Sequence, residues 1–74
     1  MLVKFEVYND GVYWCARGIG ENIFTQGKTL DELTDNMKEA VEVYYMELLE
    51  KGEQIKILSL FELEVEPSAK ATSS

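Results

Sequence analysis

Fourteen Asp and Glu side chains and no histidine set the terms for any chemistry in this 74-residue chain. Without an imidazole there is no nucleophile–base pair of the Ser–His or Cys–His kind. Cys15 is the only thiol. It lies in the apolar run Val12-Tyr13-Trp14-Cys15-Ala16, where a thiolate is disfavoured, and it reads as a small core residue. Carboxylates remain for acid–base or metal chemistry. Asp35, Glu39 and Glu42, or Glu32 and Glu39, or Glu47 and Glu50, fall together on the polar flank of one segment. A working carboxylate pair needs a cleft that drives its pKa values apart. Nothing in the sequence marks such a cleft, so these acids read as a solvated face. Asp10 could offer an oxygen to Mg²⁺, but a turn at Asn9-Asp10-Gly11 already accounts for it. One cysteine and no histidine leave the usual structural zinc site without ligands. Gly18-Ile19-Gly20 opens no helix and has no Lys-Ser sequel, so it is no phosphate loop. The expectation is a chain with no catalytic residues, no metal and no cofactor.

Composition narrows the partners. The net charge is −7, and the seven Lys and Arg residues are scattered singly. Phosphate contacts need clustered cations, so direct nucleic-acid binding is not expected. An acidic surface suits a basic protein partner, through complementary potential and faster encounter. A core this small nearly balances its own ordering entropy, and such folds lean on disulfides, metals or association. With the first two unavailable, association with a second copy or another protein is the expected supplement. No apolar run approaches the length of a membrane span, Met1 leads directly into a strand pattern, and a lone cysteine fits a reducing cytoplasm. The chain is expected there.

The longest periodic segment is Thr29 to Lys51. Thr29 and Glu32 have the spacing of a capping box. Leu30, Leu33, Met37, Ala40, Val41, Tyr44 and Leu48 recur at three- and four-residue steps, one face of a helix. Gly52 can take the left-handed conformation that ends it, while Asp31, Glu32 and Asp35 sit at the start and Lys51 at the end, as the helix dipole favours. Before it, residues 2–8 alternate with Val3, Phe5 and Val7 on one face. Asp10-Gly11 marks a hairpin turn. Residues 12–16 read as a central strand and 23–25 as a third, giving an antiparallel meander with a glycine-containing loop over 17–22. After the helix, residues 54–66 alternate as one long strand, Ile55, Ile57, Ser59, Phe61, Leu63 and Val65 on one parity. That exceeds the usual strand of about 5–6 residues, so it is expected to outrun its sheet and offer an edge to a second copy. The fold class is α+β, β-β-β-α-β, one helix across one sheet. Residues 1–66 form a single domain, and 67–74 are expected to be a disordered tail.

Candidate contact residues follow from what this arrangement leaves uncovered. Val43 and Met46 fall on the helix face opposite the core stripe, among Glu39, Glu42 and Glu50. Exposed Met and Val among acids suit an adaptable protein contact. Leu58 and Leu60 lie on the last strand, on the sheet face away from the helix.

These residues together resemble the HicB-like antitoxin family. The resemblance rests on Asp10-Gly11-Val12-Tyr13-Trp14, on Thr25-Gln26-Gly27-Lys28-Thr29-Leu30-Asp31-Glu32, and on Asn36-Met37-Lys38-Glu39-Ala40-Val41-Glu42 leading to Leu48-Leu49-Glu50-Lys51-Gly52-Glu53. It covers roughly residues 3 to 55. It implies a partial ribonuclease-H-like fold without catalytic acids, and a role in silencing a small basic ribonuclease toxin of the HicA type. Many members carry a C-terminal helix-turn-helix or ribbon-helix-helix segment for operator DNA; the expectation here is a short member without one. The family's proline-containing loop is replaced by Cys15-Ala16-Arg17-Gly18-Ile19-Gly20-Glu21. The function expected is occlusion of a basic nuclease surface, with Glu39, Glu42 and Met46 steering and exposed leucines supplying buried area. The alternatives are a solitary homo-oligomeric binding domain with no toxin partner, and a metal-dependent nuclease remnant using Asp10.

Overall fold

Alternation in the first strand fixes the core. In the computed structural model, which describes residues 1–67, β1 (Leu2–Asn9) buries Val3, Phe5 and Val7 almost completely. β2 (Trp14–Gly18) and β3 (Phe24–Gly27) follow as an antiparallel meander. α1 (Leu30–Tyr44) and the short α2 (Met46–Glu50) come next, and β4 (Lys56–Phe61) returns beside β1 in parallel. The sheet order is β3-β2-β1-β4, so β3 and β4 are its two edges. The architecture is α+β, a four-stranded mixed sheet with one main helix on one face.

Leu33, Met37, Val41 and Tyr45 enter the core at steps of four and meet Val3, Phe5, Val7, Ala16 and Ile23. This differs from the expected stripe in a definite way. Leu30 and Tyr44 are exposed, and Tyr45 is buried in place of Tyr44. The helix does not run unbroken to Lys51: Tyr45 leaves helical geometry, with φ −112° and ψ 29°. A ladder of fours drifts round the helix, and the break at Tyr45 lets the chain keep its contact with the sheet. The C-terminal end is as the glycine suggests. Gly52 has φ +87°, its N–H donates to the Leu49 carbonyl, and the Glu53 N–H donates to the Leu48 carbonyl. These are the two bonds of a Schellman cap.

The first turn is longer than a two-residue hairpin. The Asp10 carboxylate accepts from the amides of Val12 (2.9 Å) and Tyr13 (2.7 Å), while the Asn9 side chain accepts from Gly11. Those bonds hold residues 10–13 out of the ladder, so β2 begins at Trp14, opposite Asn9, and runs on to Gly18. Val12, expected in the strand, is exposed in this loop. The last strand is shorter than its pattern. β4 stops at Phe61, opposite Val7 and two residues short of the end of β1, and residues 62–67 extend beyond the ladder. Of the tail expected at 67–74, all but Pro67 lies outside the described residues.

Candidate functional site

The segment joining β3 to α1 is held by a set of local contacts. The Thr29 hydroxyl accepts from the Glu32 amide at 3.1 Å. The Glu32 carboxylate reaches back to the Lys28 amide at 3.4 Å, one residue before the cap. Gly27 packs so closely beneath α1 that a Cβ there would stand 2.7 Å from the Leu33 nitrogen. Asn36, one turn further on, donates from its side chain to the Gln26 carbonyl at 2.8 Å. The Thr-Gln-Gly-Lys-Thr-Leu-Asp-Glu…Asn run is thus the clamp that seats the helix on the edge of β3.

That clamp shapes an open groove between the edge of β3 and the flank of α1, of about 480 Å³. Asn22, Phe24 and Thr25 line one side and Asn36, Glu39, Ala40, Val43 and Tyr44 the other. A second depression of about 380 Å³ adjoins it around the helix break, lined by Val43 to Leu48. Val43 and Tyr44 border both. The Tyr44 hydroxyl donates to the Glu21 carboxylate at 3.3 Å, which ties the β2–β3 loop to this end of the helix. Tyr44 and Tyr45 meet edge to face, 4.7 Å apart. The Tyr45 phenol is pushed above its ordinary pKa by burial and then by the Glu21 charge. Its hydroxyl makes no hydrogen bond of ordinary geometry among the described residues, although the Glu21 carboxylate stands close enough to raise its pKa.

The six expected contact residues divide between two surfaces. Glu39 and Val43 line the groove, Met46 the adjoining depression, and Glu42 is exposed on α1 beside them. Val43 is 70% exposed and Met46 51%. Leu58 and Leu60 are elsewhere. They oppose Lys4 and Glu6 of β1, on the sheet face turned away from α1. No helix covers that face among the described residues. It carries a Glu6–Arg17 ion pair between directly opposed positions, and the Arg17 guanidinium lies 5.9 Å from the Tyr8 ring centre. Tyr44 and Phe24 were missed as groove residues. Tyr44 shares the three- and four-residue spacing that starts at Leu30, but the core follows steps of four from Leu33 and reaches Tyr45 instead.

The chemistry of the remaining candidates is accounted for locally. Cys15 is buried outside the helix-side core cluster, its Sγ 3.7 Å from Asp10 Oδ2. Burial and then the Asp10 charge push its thiol up. Asp10 is held below its usual range, chiefly by the Tyr13 amide and then by that of Val12. Among the described residues no three acids or thiols converge as a metal ion would require, and no helix is long and apolar enough to cross a membrane.

No family model matches the chain, and no solved structure matches it. Among curated proteins it is 40% identical over 57 residues to a UPF0150 protein of Archaeoglobus fulgidus, covering 77% of each chain. At that identity and coverage, this chain belongs to the UPF0150 family.

Proposed function

We propose that the chain is a protein-binding module of the HicB antitoxin type, which docks a small basic ribonuclease on the α1 flank and covers its working surface. The observation that carries this reading is the composition of that flank. Val43 and Met46 stand exposed beside a groove, and Glu39 and Glu42 surround them. Apolar anchors inside a charged rim are what a contact with a basic partner uses: the anchors lose water, and the rim steers and orients. A net charge of −7 adds long-range attraction for a cation-rich surface. The HicB-like run from Thr25 to Glu42 points the same way.

The test is a titration of the purified chain against a small basic ribonuclease of the HicA type. RNA cleavage is expected to fall as the complex forms. Val43→Asp places a charge at the centre of the contact and is expected to weaken binding by about tenfold or more. Glu39→Lys with Glu42→Lys is expected to slow association and to flatten its dependence on salt. Cleavage that continues in the presence of saturating chain would overturn the reading.

A further inference from the structure

The two edges of the sheet are finished differently. At β3 the strand is short, and Asn36 of α1 occupies the Gln26 carbonyl. Among the described residues β4 has no such guard. The Lys56 amide donates to the Met1 carbonyl and the Glu62 amide to the Val7 carbonyl, so the even-numbered residues of β4 bond toward β1. Ile57, Ser59 and Phe61 therefore direct their N–H and C=O groups to the free edge. Natural edge strands are usually blunted by a central charge, a proline or a bulge. Here the run between Lys56 and Glu62 is Ile-Leu-Ser-Leu-Phe, with charge only at its two ends. Leu58, Leu60 and Phe61 are 42%, 50% and 54% exposed.

We infer that β4 pairs antiparallel with β4 of a second copy of this chain, about a two-fold axis through Ser59. That register is self-complementary. Lys56 of each copy faces Glu62 of the other, so opposite charges meet at both ends. Leu58 meets Leu60 on the open face of the sheet, and Ile57 meets Phe61 on the helix face. Ser59 meets its own mate, and Ile57, Ser59 and Phe61 exchange both backbone bonds, as hydrogen-bonded antiparallel pairs do. Beyond the ladder the same register brings Leu63, which is 72% exposed, opposite Ile55, and nowhere sets acid against acid. Moving the axis to Leu60 sets Leu58 against Glu62. Moving it to Leu58 sets Lys56 against Leu60 and gives up the ion pairs. Parallel pairing in register would stack Lys56 on Lys56 and Glu62 on Glu62, which cross-strand electrostatics disfavours. The product is one continuous sheet of twice four strands, with both α1 helices on the same side and the apolar edge closed.

A charge swap tests the register on the intact chain. By sedimentation equilibrium the wild type is expected to be a dimer at micromolar concentration. Lys56→Glu or Glu62→Lys alone sets like charges opposite each other twice per dimer, and each is expected to weaken self-association by about tenfold or more. The double variant, carrying both, restores opposite charges and is expected to dimerise as the wild type does. Ser59→Pro removes an amide that serves only the free edge, so it leaves the β1 ladder intact and is expected to give a folded monomer. Circular dichroism on each variant confirms that the fold persists. A wild type that stays monomeric at every concentration overturns the inference. So does a dimer that both single charge variants leave unchanged, since its contact would then lie elsewhere.

Discussion

At the scale of single residues, the most exacting positions are those that shape backbone rather than those that carry charge. Asp10 is committed to its turn by the amides of Val12 and Tyr13, and Cys15 is shut beneath it. Tyr45 is the exception, a buried phenol whose hydroxyl finds no partner among the described residues. Leaving a buried hydroxyl unpaired costs roughly 1–3 kcal/mol. Tyr45→Phe removes that hydroxyl and keeps the ring, with its edge-to-face contact to Tyr44. It is expected to stabilise the fold by about 1 kcal/mol, read as a higher urea midpoint at unchanged slope. A lower midpoint would mean that the hydroxyl is bonded after all, with Glu21 as the evident acceptor. The sequence did not single this residue out. Tyr44 and Tyr45 are adjacent and chemically alike; mixed steps from Leu30 reach Tyr44, while steps of four from Leu33 through Met37 and Val41 reach Tyr45. Packing against the sheet follows the second ladder.

At the scale of elements, the joint between β3 and α1 explains why part of the fold was legible and part was not. Thr29, Glu32, Gly27 and Asn36 act over a few residues, through a cap, a close approach and one side-chain bond to backbone. Signals of that range survive in a sequence, and the helix start is legible in Thr29 and Glu32, whereas the Asn36 bond to the strand is not. Strand ends are set by partners far away in the chain. β4 leaves its ladder after the Val7–Phe61 pair although its alternation runs on, and Val12 leaves β2 because of the Asp10 carboxylate; periodicity sees neither. The groove inherits the same limit, since it exists only where β3 and α1 meet. Gly27 is the position on which that meeting depends. Gly27→Ala drives a methyl to within 2.7 Å of the Leu33 nitrogen, and backbone on both sides cannot yield by rotating a side chain. The expected cost is about 1–3 kcal/mol. Thermal unfolding would show it as a fall of several degrees, given roughly 4–8 °C per kcal/mol in a domain of this size. An unchanged midpoint would show that α1 can lift off β3, and that the groove is wider than its resting geometry.

At the scale of the whole molecule, the two proposed contacts lie at opposite ends of one sheet. The groove is built on β3 and α1, and the self-pairing edge on β4, with β2 and β1 between them. Adjacent strands are about 4.8 Å apart, so the two surfaces stand on the order of 15 Å from each other within a copy. A two-fold through Ser59 therefore joins the copies at their β4 edges and leaves both grooves outward, unobstructed by the partner. On the two proposals together, each copy would hold one basic protein, and the assembly would have two of each chain. Separate placement also means separate energetics, because substitutions that far apart with no shared contacts usually act additively. Lys56→Glu is expected to reduce the complex to one copy of each chain while leaving affinity per groove within about twofold. Val43→Asp is expected to do the converse, abolishing capture of the basic partner from a dimer that persists. Light scattering on chromatographically separated mixtures distinguishes the two. Loss of partner binding in Lys56→Glu, with its fold intact, would mean that the groove needs the second copy to be complete, and the two surfaces would then have to be treated as one.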